Sequence, residues 1–384
     1  MKRSHCDKKL IFRPKMIKFI YMKNHQIIQI GIFAQPIDQR CKARFSKLEE
    51  FYYKLFLASK KLRLEIFIFD LSDILKNRMV QGRFITKIKN GKNVWIRKIV
   101  PMPLAIWDRS FGMTSEQRQK LLRLGVKFIN PLAFAKISRD KIQTYQTLRS
   151  FFKKEKVAMQ PETALYTKDN APHWLKKFNY LFFKPQTGSK GKGIFSIRKV
   201  EDRFVLNQKR PVTRKVLIKK ISQFTKKETY IVQQGIEVLT INNAPFDIRV
   251  LVQRGGGSLV KIHHASRIAG ENQITSNIHS GGFAQNTQKI LKKIGWDKNE
   301  RSTINDKIKN FSLKLHKFLE ENIGQPIMEF ALDLAIDENH QIYLLEINAR
   351  PGREIFQITS KSISELTFVF PLKYIKSVLI SMKK

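Results

Sequence analysis

The sequence predicts an α/β (α+β) protein of two to three domains, and three observations carry that expectation. Apolar runs of strand length alternate with segments whose apolar residues recur at helical spacing. Of the 384 residues, 42% are hydrophobic, and 28 of them are Phe, enough to bury a sizeable core. A glycine-bearing run ending at Gly193 lies between two strand-like runs, not between a strand and a helix. At roughly 150 residues per domain, the length allows two or three.

The first section, 1–135, carries a basic leader and then alternates. Residues 26–34 (QIIQIGIFA) read as a buried strand, 45–61 as a helix with Phe51, Tyr52, Leu55 and Phe56 on its apolar face, and 64–69 as the next strand. Residues 82–100 read as a hairpin about Gly91, 105–107 as a short strand, 116–125 as a helix and 126–129 as extended, until Pro131 breaks the pattern. The second section, 136–234, opens with a helix over 140–154. Strands over 180–184 and 194–198 flank the loop 188–193, a basic helix covers 215–224, and a strand from 230 leads into Gln233 and Gln234. The third section, 235–384, has strands over 246–253 and 260–268 about three consecutive glycines, a helix over 307–322, and strands over 330–336 and 342–347 about a turn at 337–340.

The formal net charge is +42. Such a field attracts polyanions, whether nucleic acid, anionic lipid, acidic polymers or phosphorylated metabolites, and a lysine-rich solvated surface is the plain alternative. Residues 1–25 hold eight Lys or Arg against Asp7, and 198–227 hold eleven against Glu201 and Asp202. Neither segment has an RNA-binding signature or zinc-finger spacing, so no specific nucleic-acid motif supports that partner. Cys6 and Cys41 are too few for a disulfide scaffold or a cysteine-rich zinc site. No run reaches a membrane span, and Arg13, Lys15 and Lys18 interrupt the apolar pieces of the first 22 residues. The expectation is a soluble, cytoplasmic chain.

Two motifs carry chemistry. In Lys184-Pro-Gln-Thr-Gly-Ser-Lys-Gly-Lys-Gly193, Walker A spacing fails because Ile194 follows where lysine belongs, and the dinucleotide fingerprint fails at Ser196. Gly188, Gly191 and Gly193 nevertheless let backbone N–H groups approach an anion, with Lys184, Lys190 and Lys192 supplying charge; a flexible basic hairpin is the alternative. The second motif is the pair of strands holding Asp333 and Glu346-Ile-Asn348. Side chains two apart share a strand face, so Glu346 and Asn348 point together, away from Leu345 and Ile347. A two-residue turn at Asn339-His340 would set Asp333 opposite Glu346 at roughly 5 Å, an unfavourable pair unless a cation joins it. Two carboxylates and an amide oxygen suit Mg²⁺ when substrate phosphates complete its shell. The neighbours His263-His264 fall on opposite strand faces and read as structural.

Together these segments resemble an ATP-grasp enzyme, and more narrowly the endospore coat-associated YheC/YheD-type family. The matching residues run from Asp140-Lys141 through Met159-Gln-Pro161-Glu-Thr163, Phe183-Lys184 with its loop, Tyr230 to Ile236, Pro245-Phe-Asp247-Ile-Arg249, Arg267, Asn277 and Gly281-Gly282 to Asp333, Glu346, Asn348 and Pro351-Gly352. The resemblance implies an ATP-grasp fold of two α+β lobes, 136–234 and 235–384, preceded by an N-terminal α/β domain. It implies that Lys141 and Lys184 contact ATP phosphates, that Gly188, Ser189, Lys190, Gly191 and Gly193 fold over them, and that Gln233, Gln234 and Ile236 form the adenine-reading hinge. The family often has Glu where this chain has Gln233, and Glu237 is the nearest candidate for the ribose. Arg249 and Arg267 are the implied catalytic cations, with surface charge as the alternative, and Asp333, Glu346 and Asn348 the implied Mg²⁺ ligands.

A carboxylate acylates poorly because its leaving group would be oxide. Phosphorylation by ATP gives an acyl phosphate and ADP, an amine or thiol then displaces the phosphate, and lysines, arginines and Mg²⁺ reduce the anionic repulsion. The expected function is thus an ATP- and Mg²⁺-dependent carboxylate–amine (or thiol) ligase, with a carboxylate substrate and an amine or thiol acceptor as partners, an acidic polymer among the candidates. The resemblance ties this to spore formation and the developing spore coat. The rival expectations are a coat-associated structural or polyanion-binding protein with a vestigial fold, and, on charge alone, a nucleic-acid binder.

Overall fold

The computed structural model describes residues 28–34, 47–87, 93–110, 113–188, 191–207, 211–270 and 282–382. The basic leader, the reading of its first 22 residues, both cysteines, Gly91, Ser189, Lys190, Asn277 and Gly281 lie outside the described residues. Three sheets organise the rest.

The N-terminal sheet has the parallel strands Ile28–Phe33, Leu64–Phe69, Ala105–Asp108 and Lys127–Phe128, with the antiparallel hairpin Met79–Lys87 and Asn93–Pro101 added at one edge. Its Ile-rich strands are near-continuous apolar runs because both faces are covered. Helix Lys47–Lys61 covers one face together with the long helix Lys361–Ser381, whose Phe368, Leu372, Ile375 and Leu379 join Ile30, Ile66 and Tyr52 in one core. The C-terminal segment therefore completes the N-terminal domain, although the sequence assigns it to the last lobe.

The central lobe is a five-stranded antiparallel sheet in the order Arg203–Leu206, Phe195–Val200, Tyr180–Pro185, Tyr230–Gln234, Thr163–Leu165. Helix Arg214–Phe224 seats Leu217 and Ile221 on its apolar face. The C-terminal lobe is built on Phe283–Gln285, Val260–Ile268, Ala244–Arg254, Glu329–Ile336 and Ile342–Asn348. Its main helix is Lys298–Ile323, nine residues longer at its start than expected. The Asp297/Glu300 capping box begins it, and Gly324 at φ 69° ends it in the left-handed region.

The expected boundary near 135 falls inside a helix, Leu132–Arg139. Asp140 ends that helix and caps the next, Lys141–Lys154, by accepting from the N–H groups of Ile142 (2.9 Å) and Gln143 (3.1 Å). Phe134, Leu148 and Phe151 pack with Phe311, Leu315 and Phe330, so these helices belong to the core of the C-terminal lobe while their junction touches the central hairpin. Gln186 Nε2 donates to Asp140 Oδ2 at 2.8 Å, and Lys141 N to the Gln186 carbonyl at 3.1 Å.

Candidate active site

Strand Tyr180–Pro185 alternates half-buried and buried residues, with Leu181 and Phe183 in the lobe core. Lys184 consequently falls on the opposite face with Phe182, whose ring centroid lies 5.4 Å from Nζ. Its ammonium donates to Gln233 Oε1 at 2.6 Å, and Gln233 Nε2 donates to Thr163 Oγ1 at 2.9 Å. Burial pushes the Lys184 pKa from 10.5 down to about 8; Glu346 and Asp333 across the cleft resist, and Lys141 pushes further down. Lys141 also reaches the Gly188 carbonyl, at 3.4 Å. Lys184, Lys141 and Gln233 thus meet, as the sequence anticipates.

Around the loop, Gly188 (φ 145°), Gly191 (φ 70°) and Gly193 (φ 73°) take backbone conformations that side chains disfavour. A Cβ at Gly193 would also stand 2.9 Å from Pro185 and 3.0 Å from the Tyr230 hydroxyl. In the hinge, Gln234 N donates to the Glu162 carbonyl at 2.8 Å, and Gly235 packs so closely on Tyr180 that a Cβ would lie 2.4 Å from its ring. Ile236 follows outside any helix or strand. Glu237, the ribose candidate, is exposed and held by the Arg198 guanidinium, which stacks 4.0 Å from the Tyr180 ring centroid.

Facing this lobe is an alternating ladder of charge. Asp247 and Arg249 share one face of Ala244–Arg254; Asp247 is registered with Arg267, and Arg249 with Asp333. Arg249 grips both oxygens of Asp333, with Nη2–Oδ2 at 3.0 Å. Arg267 bridges Asp247 (Nε–Oδ1 2.7 Å) and Asp333 (2.9 Å). Burial would raise the Asp333 carboxyl, but the two guanidinia hold it below its ordinary range; the same two aspartates raise Arg267 against its own burial. These arginines are therefore not loose surface charge. Asp247 has no role among those expected, although its i, i+2 spacing to Arg249 is visible in the sequence.

Asp333 does stand opposite Glu346, but by another route than a two-residue turn. The loop between Ile336 and Ile342 has five residues, organised by Asp337 Oδ1 accepting from Asn339 N (3.0 Å) and Gln341 N (2.9 Å). That register would set Asp333 against Leu345. A β-bulge then shifts the pairing, so Leu334 faces Leu344 while Asp333 faces Glu346. The extra residue changes which side chains reach the core: Ile342 and Leu344 are buried before it, and Ile347 after it. Without the shift, continued alternation would aim Glu346 into the hydrophobic core. Leu345 is half-buried, and the pairing shift falls at its position, between Leu344 and Glu346.

Glu346 lies in the cleft with Lys141 and Gln233. Burial and then Asp333 push its carboxyl up, against Lys141, Lys184 and Arg249. Its carboxylate makes no hydrogen bond or ion pair among the described residues, and Asn348 uses only Nδ2, at 3.4 Å from Asp333 Oδ2, leaving its oxygen available. Glu346 and Asn348 thus present hard oxygen donors that fit Mg²⁺ completed by phosphate oxygens. Asp333 fits less freely, since three strong donors already occupy its lone pairs. His264 bonds Asn305 (2.8 Å) and Thr287 (3.1 Å), and His263 stacks on Phe370, each away from this cleft.

Residues 125–378, about two thirds of the chain, match the family described as YheC/D like ATP-grasp. Endospore coat-associated protein YheD of Bacillus subtilis (strain 168) is 23% identical over 350 residues, covering 85% of this chain and 73% of its own. Endospore coat-associated protein YheC of the same strain is 21% identical over 222 residues, 56% of this chain and 60% of its own. In three dimensions the chain is similar to D-alanyl-alanine synthetase A from Vibrio cholerae, with a TM-score of 0.57 at 14% identity, covering 93% of this chain and 99% of that one. D-cycloserine synthetase DcsG superposes with a TM-score of 0.53 at 10% identity over 90% of this chain and 98% of that one. These likenesses bear on the fold, which is the α+β ATP-grasp fold of ligases. Among the described residues no helix is long and apolar enough to cross a membrane.

Proposed function

The chain belongs to the YheC/D-like ATP-grasp family, and from that premise we propose that it is an ATP- and Mg²⁺-dependent ligase joining a carboxylate to an amine or thiol through an acyl phosphate. The observation that carries the reading is the cleft itself. Lys184 and Lys141 stand on one wall and Glu346, without a hydrogen-bond or ion-pair partner among the described residues, on the other, with the Arg249–Asp333–Arg267 cluster behind it.

In this reading Lys141 and Lys184 draw in the nucleotide phosphates, and the loop of Gly188, Ser189, Lys190, Gly191 and Gly193 covers them with backbone N–H groups. Gln233, Gln234 and Ile236 line the adenine side; a Gln carbonyl accepts from the adenine amino group, for which Gln233 would exchange its bond from Lys184. Glu237 would have to leave Arg198 to reach a ribose. Asp333 holds Arg249 and Arg267 in fixed orientation, so their charge is pre-arranged for an anionic phosphoryl or acyl phosphate and little reorganisation accompanies transfer. Glu346 and Asn348, with Asp333 as the third oxygen donor, would hold the metal, which when bound neutralises phosphate charge. The domain division that accompanies this reading is 1–135, 136–234 and 235–384, with the seams crossed by helices Leu132–Arg139 and Lys361–Ser381.

The test is substrate-dependent ADP release by the purified protein against a panel of acids and amines or thiols, run beside Glu346→Gln. The ligase reading expects turnover that the variant loses while keeping its fold; unchanged turnover in a folded variant refutes the metal assignment. A second reading rests on the net charge of +42: a coat-associated protein holding an acidic polymer, in the cytoplasm or on the developing spore coat. It expects polymer binding that falls steeply with salt, since exposed charges are screened within about 8–10 Å at physiological ionic strength, and no ADP release with any acid.

A further inference from the structure

A cavity of about 150 Å³ lies where helix Ser115–Arg123 of the N-terminal domain meets helix Leu132–Arg139 and the chain just beyond strand Ile342–Asn348. Arg118, Lys136, Arg139 and Arg350 all line it, and among the described residues no carboxylate does. The carboxylate that contacts any of the four among the described residues is Asp108, whose Oδ2 serves both Arg350 and, at 3.6 Å, Arg118. Its Oδ1 is taken by Ser110, whose backbone N–H donates at 2.9 Å and hydroxyl at 2.7 Å. One acid thus anchors two guanidinia, and a surplus of positive charge remains on the cavity wall.

Arg118 sharpens the point. Its side chain is only 8% exposed, and it lies 5.0 Å from the Phe128 ring centroid. Beyond the long contact to Asp108 it makes no hydrogen bond among the described residues. Burial lowers its pKa, Asp108 opposes this, and Arg350 adds to it. Lining the cavity with donors that no protein group among the described residues takes up, this guanidinium is placed to give charge-assisted hydrogen bonds to an anion. Lys136 and Arg139 are exposed at the rim and pair with nothing among the described residues.

The cavity is also close to the reaction cleft. Arg350 follows Asn348 by two residues, which span at most about 7 Å. A volume of about 150 Å³ leaves room for one carboxylate-bearing or phosphate-bearing group.

We propose that this cavity binds a second anionic group of the acid substrate, so that the enzyme acts on a multiply charged acid whose reacting carboxylate lies near Glu346 and Asn348 while another carboxylate or a phosphate sits among Arg118, Lys136, Arg139 and Arg350. The proposal rests on the ligase reading for the word substrate, and on the cavity alone for the anion. Both ligand types suit the planar guanidinium fork.

The experiment measures citrate and inorganic phosphate binding to the full chain by calorimetry, without Mg²⁺ and against sodium chloride of matched ionic strength. The two ligands separate a carboxylate site from a phosphate site. The variants are Arg118→Gln, the exposed pair Lys136→Gln/Arg139→Gln, and Lys153→Gln/Lys154→Gln as a control removing equal charge elsewhere. The expected result is binding of one of the anions by the parent and the control, weakened at least tenfold in the cavity variants, with the MgATP-induced thermal shift equal in all four proteins. No binding by the parent, or equal affinity in parent and rim pair, overturns the proposal. A parent that binds the anion through the cavity but shows no MgATP shift overturns the ligase reading and with it the substrate assignment, while supporting the anion site.

Discussion

Replacing Lys184 by Met should separate what that residue does for folding from what it does for nucleotide binding. In the ligand-free protein the ammonium is held at about 8 where an unfolded chain would hold it near 10.5. At about 1.36 kcal/mol per pH unit, this corresponds to at most about 3 kcal/mol acting against folding at neutral pH. The side chain is only half-buried, so water screens part of that penalty. Met keeps most of the stem's packing but gives up the 2.6 Å bond to Gln233, a loss of about 1–2 kcal/mol. The net expectation is a ligand-free variant within about 1 kcal/mol of the parent or more stable, a change in thermal midpoint of a few degrees at most. The sign with pH is definite. The unfolded chain binds the proton more tightly, so the parent gains stability as pH rises from about 8 to 10.5, and the variant lacks that gain. MgATP at 100 times its Kd should stabilise the parent by about 2.7 kcal/mol and the variant by far less. Dye-based melts at pH 7 and pH 9.5, with and without MgATP, read all of this. An equal MgATP shift in parent and variant, or a ligand-free variant destabilised by more than about 2 kcal/mol, would refute the reasoning.

Glu329 is fully buried and accepts from Arg353 and, at 2.9 Å, from Gln253 Nε2; Glu329→Ala leaves the Arg353 guanidinium unpaired and should lower stability in urea melts by about 3–5 kcal/mol. His263 is pushed down from 6.5 to about 4 by burial, then by His264 and Lys261. Stability should therefore fall as pH drops from 6.5 towards 4, and His263→Gln should flatten that slope in acid denaturation; an unchanged slope counts against it. Deleting Leu345 should remove the bulge yet keep Asp333 opposite Glu346 and Ile347 in the core, so the variant should fold and retain its MgATP shift. Loss of the shift in a folded deletion would show that the bulge residue itself is needed.

Much of the site was legible because strand alternation is a strict rule. Leu181 and Phe183 in the core leave Lys184 for the other face, and the family resemblance implies that Lys184, Gln233 and Glu346 serve one nucleotide site. The pairing of Asp333 with Glu346 was anticipated for a different reason from the one observed, because a longer loop and a bulge cancel in register, and a sequence does not display either offset separately. Asp297-x-x-Glu300 is a readable capping-box helix start, and the helix it opens begins nine residues ahead of the start that apolar spacing alone suggests. The buried Arg353–Glu329 pair and the cavity of Arg118, Lys136, Arg139 and Arg350 were not readable in the same way. They join residues far apart in the chain, and among so many cations nothing local marks these.

The helix Lys361–Ser381 covers a sheet whose last strand ends at Phe128. During synthesis about 230 residues separate the two, on the order of 10–50 s at ~5–20 residues per second. Throughout that interval Ile30, Ile66 and Ile68 lack the cover of Phe368, Leu372 and Ile375. Parallel strands expose an apolar face poorly, so the nascent N-terminal domain should be a client for chaperones until its final helix leaves the ribosome. The gap offers a practical handle: chains stalled before residue 361 should be protease-sensitive in their first 130 residues, and supplying the 361–381 segment as a separate peptide should protect them.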